Sequence, residues 1–276
     1  MTATAAPTDS ADATGRAGAA PARRAIRPIP TTRLVTIELR KMFDTRSGFW
    51  MLVSIGVLAV VATGAVLVFA PDREITYGSF AAAIGFPMSV ILPVVAILGV
   101  TGEWSQRSGL TTFTLVPSRG RVIGAKAVAT IVVGIVSMAV ALAVGAGGNL
   151  LGSTITGLDT VWDVSLGAAA QILLGNLVGM AIGFTLGVVL RSSAAAIVGY
   201  FVVSLVMPGI LALLAQVRPW FADLQSWIDW NDTQVALFEN DVDTAREWAM
   251  LASTTGIWIA LPLVVGLLLL RRSEVV

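Results

Sequence analysis

The chain has 276 residues, 56% of them hydrophobic and 13% charged, and its net charge is +1. Soluble domains carry about a quarter charged residues, so the deficit excludes an ordinary soluble fold, and the near-zero net charge supplies no broad basic field for nucleic acid. With neither Cys nor His, a disulfide framework, a thiolate nucleophile, a His/Cys metal site and a histidine base are all excluded.

Residues 1–31 are rich in Ala, Thr, Pro and Arg and lack an apolar core of the signal-peptide kind. They are expected to form a disordered cytoplasmic tail, because they bury too little apolar surface to offset ordering entropy. From residue 32 onward a single membrane domain is expected. It opens on an amphipathic segment: Val35, Leu39, Met42 and Phe43 fall on one helical face, with Arg33, Arg40 and Asp44 opposite. Such a helix lies in the interface plane or simply fixes orientation, and both readings place it at the same membrane surface.

Six apolar stretches follow, at about 49–70, 82–100, 122–148, 165–190, 194–215 and 249–270. Each meets the roughly 20 residues that a bilayer core of about 30 Å demands. Together they make up half the chain yet contain one charged residue, Lys126, which lies near enough to the cytoplasmic edge to snorkel. The predicted fold is therefore all-α and integral to the membrane, with six transmembrane helices. An inside N-terminus gathers the arginines of the tail and elbow with Lys41, Arg107, Arg119, Arg121, Lys126, Arg191, Arg271 and Arg272 on the cytoplasmic side. Arg73, Arg218 and Arg246 remain outside, so the positive-inside rule predicts both termini in the cytoplasm. No repeat relates the first three spans to the last three.

Within the spans, prolines at 87, 93, 208 and 262 predict kinks. Gly175, Gly179, Gly183 and Gly187 recur every four residues along span four. They leave a side-chain-free groove for close helix packing, with Asn176 on the same side able to bond across the contact. The partner is either a neighbouring span or a second subunit. Gln171, Asn176, Ser89, Ser137 and Ser204 are the groups available for a polar path. The spans hold no Asp, Glu, His or Arg, the usual relays of ion-coupled transport. Residues 120–126 lack the Gly-Lys-Ser/Thr ending of a phosphate-binding loop, so any ATP hydrolysis is expected on another polypeptide. The external 216–248 contains Trp220, Phe221, Trp227, Trp230 and Trp248 among acids such as Asp223, Asp229 and Glu239. It reads either as short helices capping a path or as an aromatic belt at headgroup depth, and its acids would make an outer vestibule attractive to cations.

The connection after span two reads Thr101-Gly-Glu103-Trp104-Ser-Gln-Arg107-Ser-Gly-Leu-Thr111-Thr-Phe113-Thr-Leu115-Val-Pro117-Ser-Arg119-Gly-Arg121, with Lys126-Ala opening span three. This stretch resembles the permease subunits of type-2 ABC transporters, particularly actinobacterial ones. The entry Ile37-Glu38-Leu39-Arg40-Lys41 is similar to their amphipathic elbow, and Leu270-Arg271-Arg272-Ser273-Glu274-Val275 to their cytoplasmic end. The resemblance covers about residues 33–276 and includes no catalytic signature. It implies a non-enzymatic subunit of the plasma membrane with no cofactor of its own. It also implies a separate ABC ATPase subunit that binds ATP and Mg, and a second permease subunit in a homo- or heterodimer surrounded by lipid. Export of a small or amphipathic substrate follows from it too. Glu103, Trp104, Arg107, Thr111, Phe113, Leu115 and Arg119 are then expected to contact the ATPase or support that contact. Rival readings of the residues are an ion-coupled secondary transporter or channel, and a membrane anchor that transports nothing.

Overall fold

A computed structural model describes residues 30–105 and 119–272, and all regular structure among them is helical. Helix α1 spans Thr31–Asp44, α2 Arg46–Phe69, α3 Tyr77–Ser105, α4 Arg119–Thr156 and α5 Leu166–Leu190. Helix α6 joins Ser193–Phe201 through a π-helical turn, Val202–Val206, to Met207–Val217. Two short helices follow, α7 (Pro219–Ile228) and α8 (Trp230–Glu239). Helix α9 runs from Ala245–Thr255 through the π turn Gly256–Ala260 to Leu261–Arg272. Six of these, α2 to α6 and α9, are long and apolar enough to cross a membrane.

Local chemistry sets the starts. The side chains of Thr45, Ser165, Ser192 and Thr244 each accept a backbone N–H from the first turn of the helix that follows, satisfying donors that would otherwise be orphaned. Thr244 forms a full capping box with Glu247. Between α5 and α6, Arg191 takes a left-handed backbone with φ 53°, which allows the turn at 191–192.

Helix α3 stands at the centre and packs on α2, α4, α5 and α6. Its apolar core joins Ile84, Met88, Leu92 and Ala96 of α3 to Met138 and Ala141 of α4 and Met180 and Phe184 of α5. Helix α5 is the most enclosed span and α6 the least. Helix α4 is longer than its apolar stretch: 38 residues make about 57 Å, nearly twice a bilayer core. It continues past residue 148 because its polar turns are held by contacts. Gly148 lies under Phe80 and Thr63, and the buried Asn149 donates its amide to the Val161 carbonyl at 2.8 Å.

The prolines are accommodated in two ways. In α6 and α9 a π turn ends two residues before Pro208 and Pro262, and the Met207 and Leu261 N–H groups bond five residues back, to Val202 and Gly256. Widening the turn relieves the clash between the ring and the preceding carbonyls. In α3, Pro93 removes the donor that would have served the Ser89 carbonyl, and the Tyr200 hydroxyl of α6 donates to that carbonyl at 3.1 Å. A freed carbonyl in lipid needs such a substitute. Tyr200→Phe is therefore expected to cost about 1–2 kcal/mol, measured by denaturant unfolding in detergent. The cost should shrink in a Pro93→Ala background, where the restored N–H takes over. An equal cost in both backgrounds would show that the hydroxyl serves some other purpose.

Candidate functional site

The lone charge of the six apolar stretches organises one end of the bundle. Moving an unpaired ammonium from water into an apolar interior costs several kcal/mol, and Lys126 is not left in that position. Its side chain is 4% exposed, and its Nζ lies 2.6 Å from Glu38 Oε2 of α1. It also donates to the Gly99 carbonyl of α3 at 3.2 Å. Lys41 bonds the other carboxylate oxygen of Glu38 at 2.8 Å. The expected snorkelling to the cytoplasmic edge is thus corrected: the lysine is held inside by a carboxylate that comes to meet it. Burial pushes the Glu38 pKa up, but Lys126 first and Lys41 second hold it below its ordinary value.

Glu38 reaches this position because Leu34, Glu38 and Met42 recur at every fourth residue along α1. Leu34 packs with Val122 and Ala125 of α4, while a Cβ added at Gly99 would meet the Met42 methyl at 2.5 Å. The buried face is therefore displaced from the one expected from apolar residues alone. Leu34 and Glu38 are buried, Val35, Leu39 and Met42 are half-buried, and Phe43 is 52% exposed. Helix α1 is fastened to α3 and α4 within about two turns of the points where the chain leaves α3 and enters α4. At the same end, Thr101 of α3 shares a 2.7 Å hydroxyl hydrogen bond with Ser193 at the start of α6.

Of the residues expected to meet an ATPase, Glu103 and Trp104 belong to the last turn of α3 and Arg119 opens α4. Trp104 is half-buried against the central core. Arg107, Thr111, Phe113 and Leu115 lie outside the described residues. The ends of α3 and α4 that bracket them are those that Lys126 joins, with Glu38 of α1 as its partner.

The glycine groove of α5 meets partners in the same chain. A Cβ at Gly183 would lie 2.6 Å from the Pro93 carbonyl oxygen, and one at Gly187 would collide with Val100. At Gly179 it would meet the Gln234 amide at 2.8 Å, and at Gly175 the Phe238 ring at 2.7 Å. The stripe thus approaches α3 along one half and α8 along the other. Asn176 does not bond across this contact: its Nδ2 donates to Ile172 one turn back in its own helix. The bond across to α8 comes instead from Gln234, whose amide donates to the Gly175 carbonyl at 2.8 Å.

Three more of the groups considered for a polar path have partners within the chain. Ser89 and Ser204 donate to carbonyls of their own helices. Gln171 clamps the Val242 backbone at both its N–H and its carbonyl. The aromatic residues of 216–248 divide. Trp230 is buried and its indole donates to the Val203 carbonyl at 3.4 Å, whereas Trp220 and Trp248 are exposed. Asp229 is a buried N-cap of α8, accepting from the Asn231 N–H at 3.0 Å.

Three contributors were hidden in the sequence: Glu38 as the partner of Lys126, Tyr200 as the surrogate donor, and Pro93 as the surface on which the glycines rest. A signal existed for the first, because a lysine inside an apolar stretch demands a carboxylate. Glu38 is the acid of the elbow that falls in register with Leu34 and Met42. No family model and no curated protein matches the chain.

Proposed function

We propose that this chain is the permease subunit of an ATP-driven exporter of the type-2 ABC class, acting in the plasma membrane as a dimer with separate ATPase subunits. Both termini and α1 face the cytoplasm, and the cargo is small or amphipathic. The observation that carries the reading is the fastening of α1 to the ends of α3 and α4 through Glu38, Lys126 and the Gly99 carbonyl. These ends bracket 106–118, the segment that resembles the docking element of such permeases. A push on that segment reaches three packed helices together, as a rigid-body switch between two access states requires. Transport is coupled only when ATPase and cargo each distinguish those states.

Purification of the full chain from its native membrane in mild detergent tests this. A P-loop ATPase is expected to accompany it, and ATP is expected to drive flux in liposomes. Glu103→Lys, or Phe113→Asp with Leu115→Asp, should reduce the recovered ATPase at least tenfold while insertion and melting temperature hold. Retention of ATPase and flux in these inserted variants would place the contact elsewhere. Flux driven by an ion gradient with no ATPase present would replace the proposal with a secondary transporter.

A further inference from the structure

At the end of the bundle opposite α1, the starts of α3 and α5 and the end of α8 border a half-open cavity of about 600 Å³. That volume falls within the range of small-molecule sites, roughly 300–1,000 Å³. Along α3 its wall runs from Gly78 to Ser89, about 16 Å of helix. Its apolar lining includes Phe86, Ile172 and Phe238, and its acidic lining Asp163 and Glu239. Among the described residues, none that lines it is basic.

The electrostatics of this lining favour a cation. Helices α3 and α5 begin here, with the positive ends of their dipoles, but both are already answered. Asp163 accepts the Gly78 N–H at 2.6 Å, and the Ser165 hydroxyl accepts that of Ala168 at 3.0 Å. Helix α8 ends here, and since its Ala236 and Leu237 carbonyls are met by the Asn240 and Asp241 N–H groups, the exposed Glu239 carboxylate is left to supply the negative charge. Phe86, on the same lining, is 78% exposed, and an aromatic face attracts a cation as well as an apolar group. Space is kept open by small residues: a Cβ at Gly85 would meet nothing within 4 Å.

We propose that this cavity binds an amphipathic organic cation, with the charge at Glu239 and the apolar body against Phe86 and Phe238. Its role as a cargo site rests on the exporter reading; the binding itself does not.

The full chain in nanodiscs of zwitterionic lipid, titrated with radiolabelled tetraphenylphosphonium, supplies the test without ATP or ATPase. Saturable binding of one cation per chain above empty discs is expected, with no comparable binding of tetraphenylborate, which has the same shape and the opposite charge. Glu239→Gln should weaken binding about fivefold, the scale of a partly solvated ion pair. Gly85→Leu should fill the cavity and weaken it at least tenfold. No saturable binding, equal binding of the borate, or unchanged binding in Glu239→Gln would each overturn the proposal. Glu239 is at the surface, so its variant decides even where Gly85→Leu fails to fold. Failure here alongside recovery of the ATPase removes this site alone; binding here without an ATPase removes the exporter.

Discussion

Glu38→Gln is expected to destabilise the chain by about 3 kcal/mol, the lower end of the cost of breaking a buried ion pair. The expense arises at Lys126, which keeps its place against the Gly99 carbonyl but loses the carboxylate that balances its charge. Replacing both residues, Glu38→Leu with Lys126→Met, should restore stability to wild type or above, because a buried pair often does no better than well-packed apolar side chains. Unfolding titrations of the three proteins in one detergent provide the comparison. If Glu38→Gln unfolds together with wild type, Lys126 is reaching water and α1 is held by its apolar contacts alone.

The same pair predicts a pH dependence of definite sign. Glu38 is held below its ordinary value of 4.5 in the folded protein, so its contribution is complete above that value. It disappears as pH falls through the lowered folded value. The stability difference between wild type and Glu38→Gln should therefore be fully present at pH 6 and close as the pH falls into acid. A difference that persisted unchanged into strong acid would show that the Glu38 carboxylate does not carry it.

Gly183→Leu is expected to cost about 3 kcal/mol or more, the upper range for overpacking. The obstruction is the Pro93 carbonyl, 2.6 Å from where a Cβ would sit, and backbone cannot rotate away as a flexible side chain does. Gly183→Ala should cost less, about 1–2 kcal/mol, since better helix propensity returns up to about 1 kcal/mol in compensation. Gly64→Leu on α2 is the control: nothing lies within 4 Å of its Cβ position, so no loss is expected and helix propensity should add up to about 1 kcal/mol. Unfolding of all three by the same titration checks the order. Were Gly183 and Gly64 to respond alike, α5 and α3 would not be in the close contact described.

The extent of α4 illustrates what hydropathy can and cannot report. Apolar composition marked 122–148, whereas the helix runs Arg119–Thr156. Bilayer thickness selects for apolar side chains, but a helix persists into polar sequence wherever its side chains find partners, as Asn149 does at Val161. The amphipathic elbow shows the converse. A face chosen by apolarity includes Phe43 and omits Glu38, because nothing local distinguishes a carboxylate destined for burial from one in solvent. Its partner stands 88 positions along the chain. The glycine stripe stood between these cases: its spacing announced a close approach, but not that Pro93 and α8 would make it.

Charge scarcity, the lengths of six apolar stretches and the glycine period were sufficient to place this chain in a membrane as a helical bundle, because those properties answer to the solvent and to the helix repeat. The tertiary structure alone decided which groups complete one another. Lys126 became internal when Glu38 arrived, the Ser89 carbonyl was satisfied when Tyr200 crossed from α6, and the cavity opened where α8 came to rest over α3 and α5. Each depends on distant segments meeting, and pairing over such distances leaves no periodic mark on the sequence.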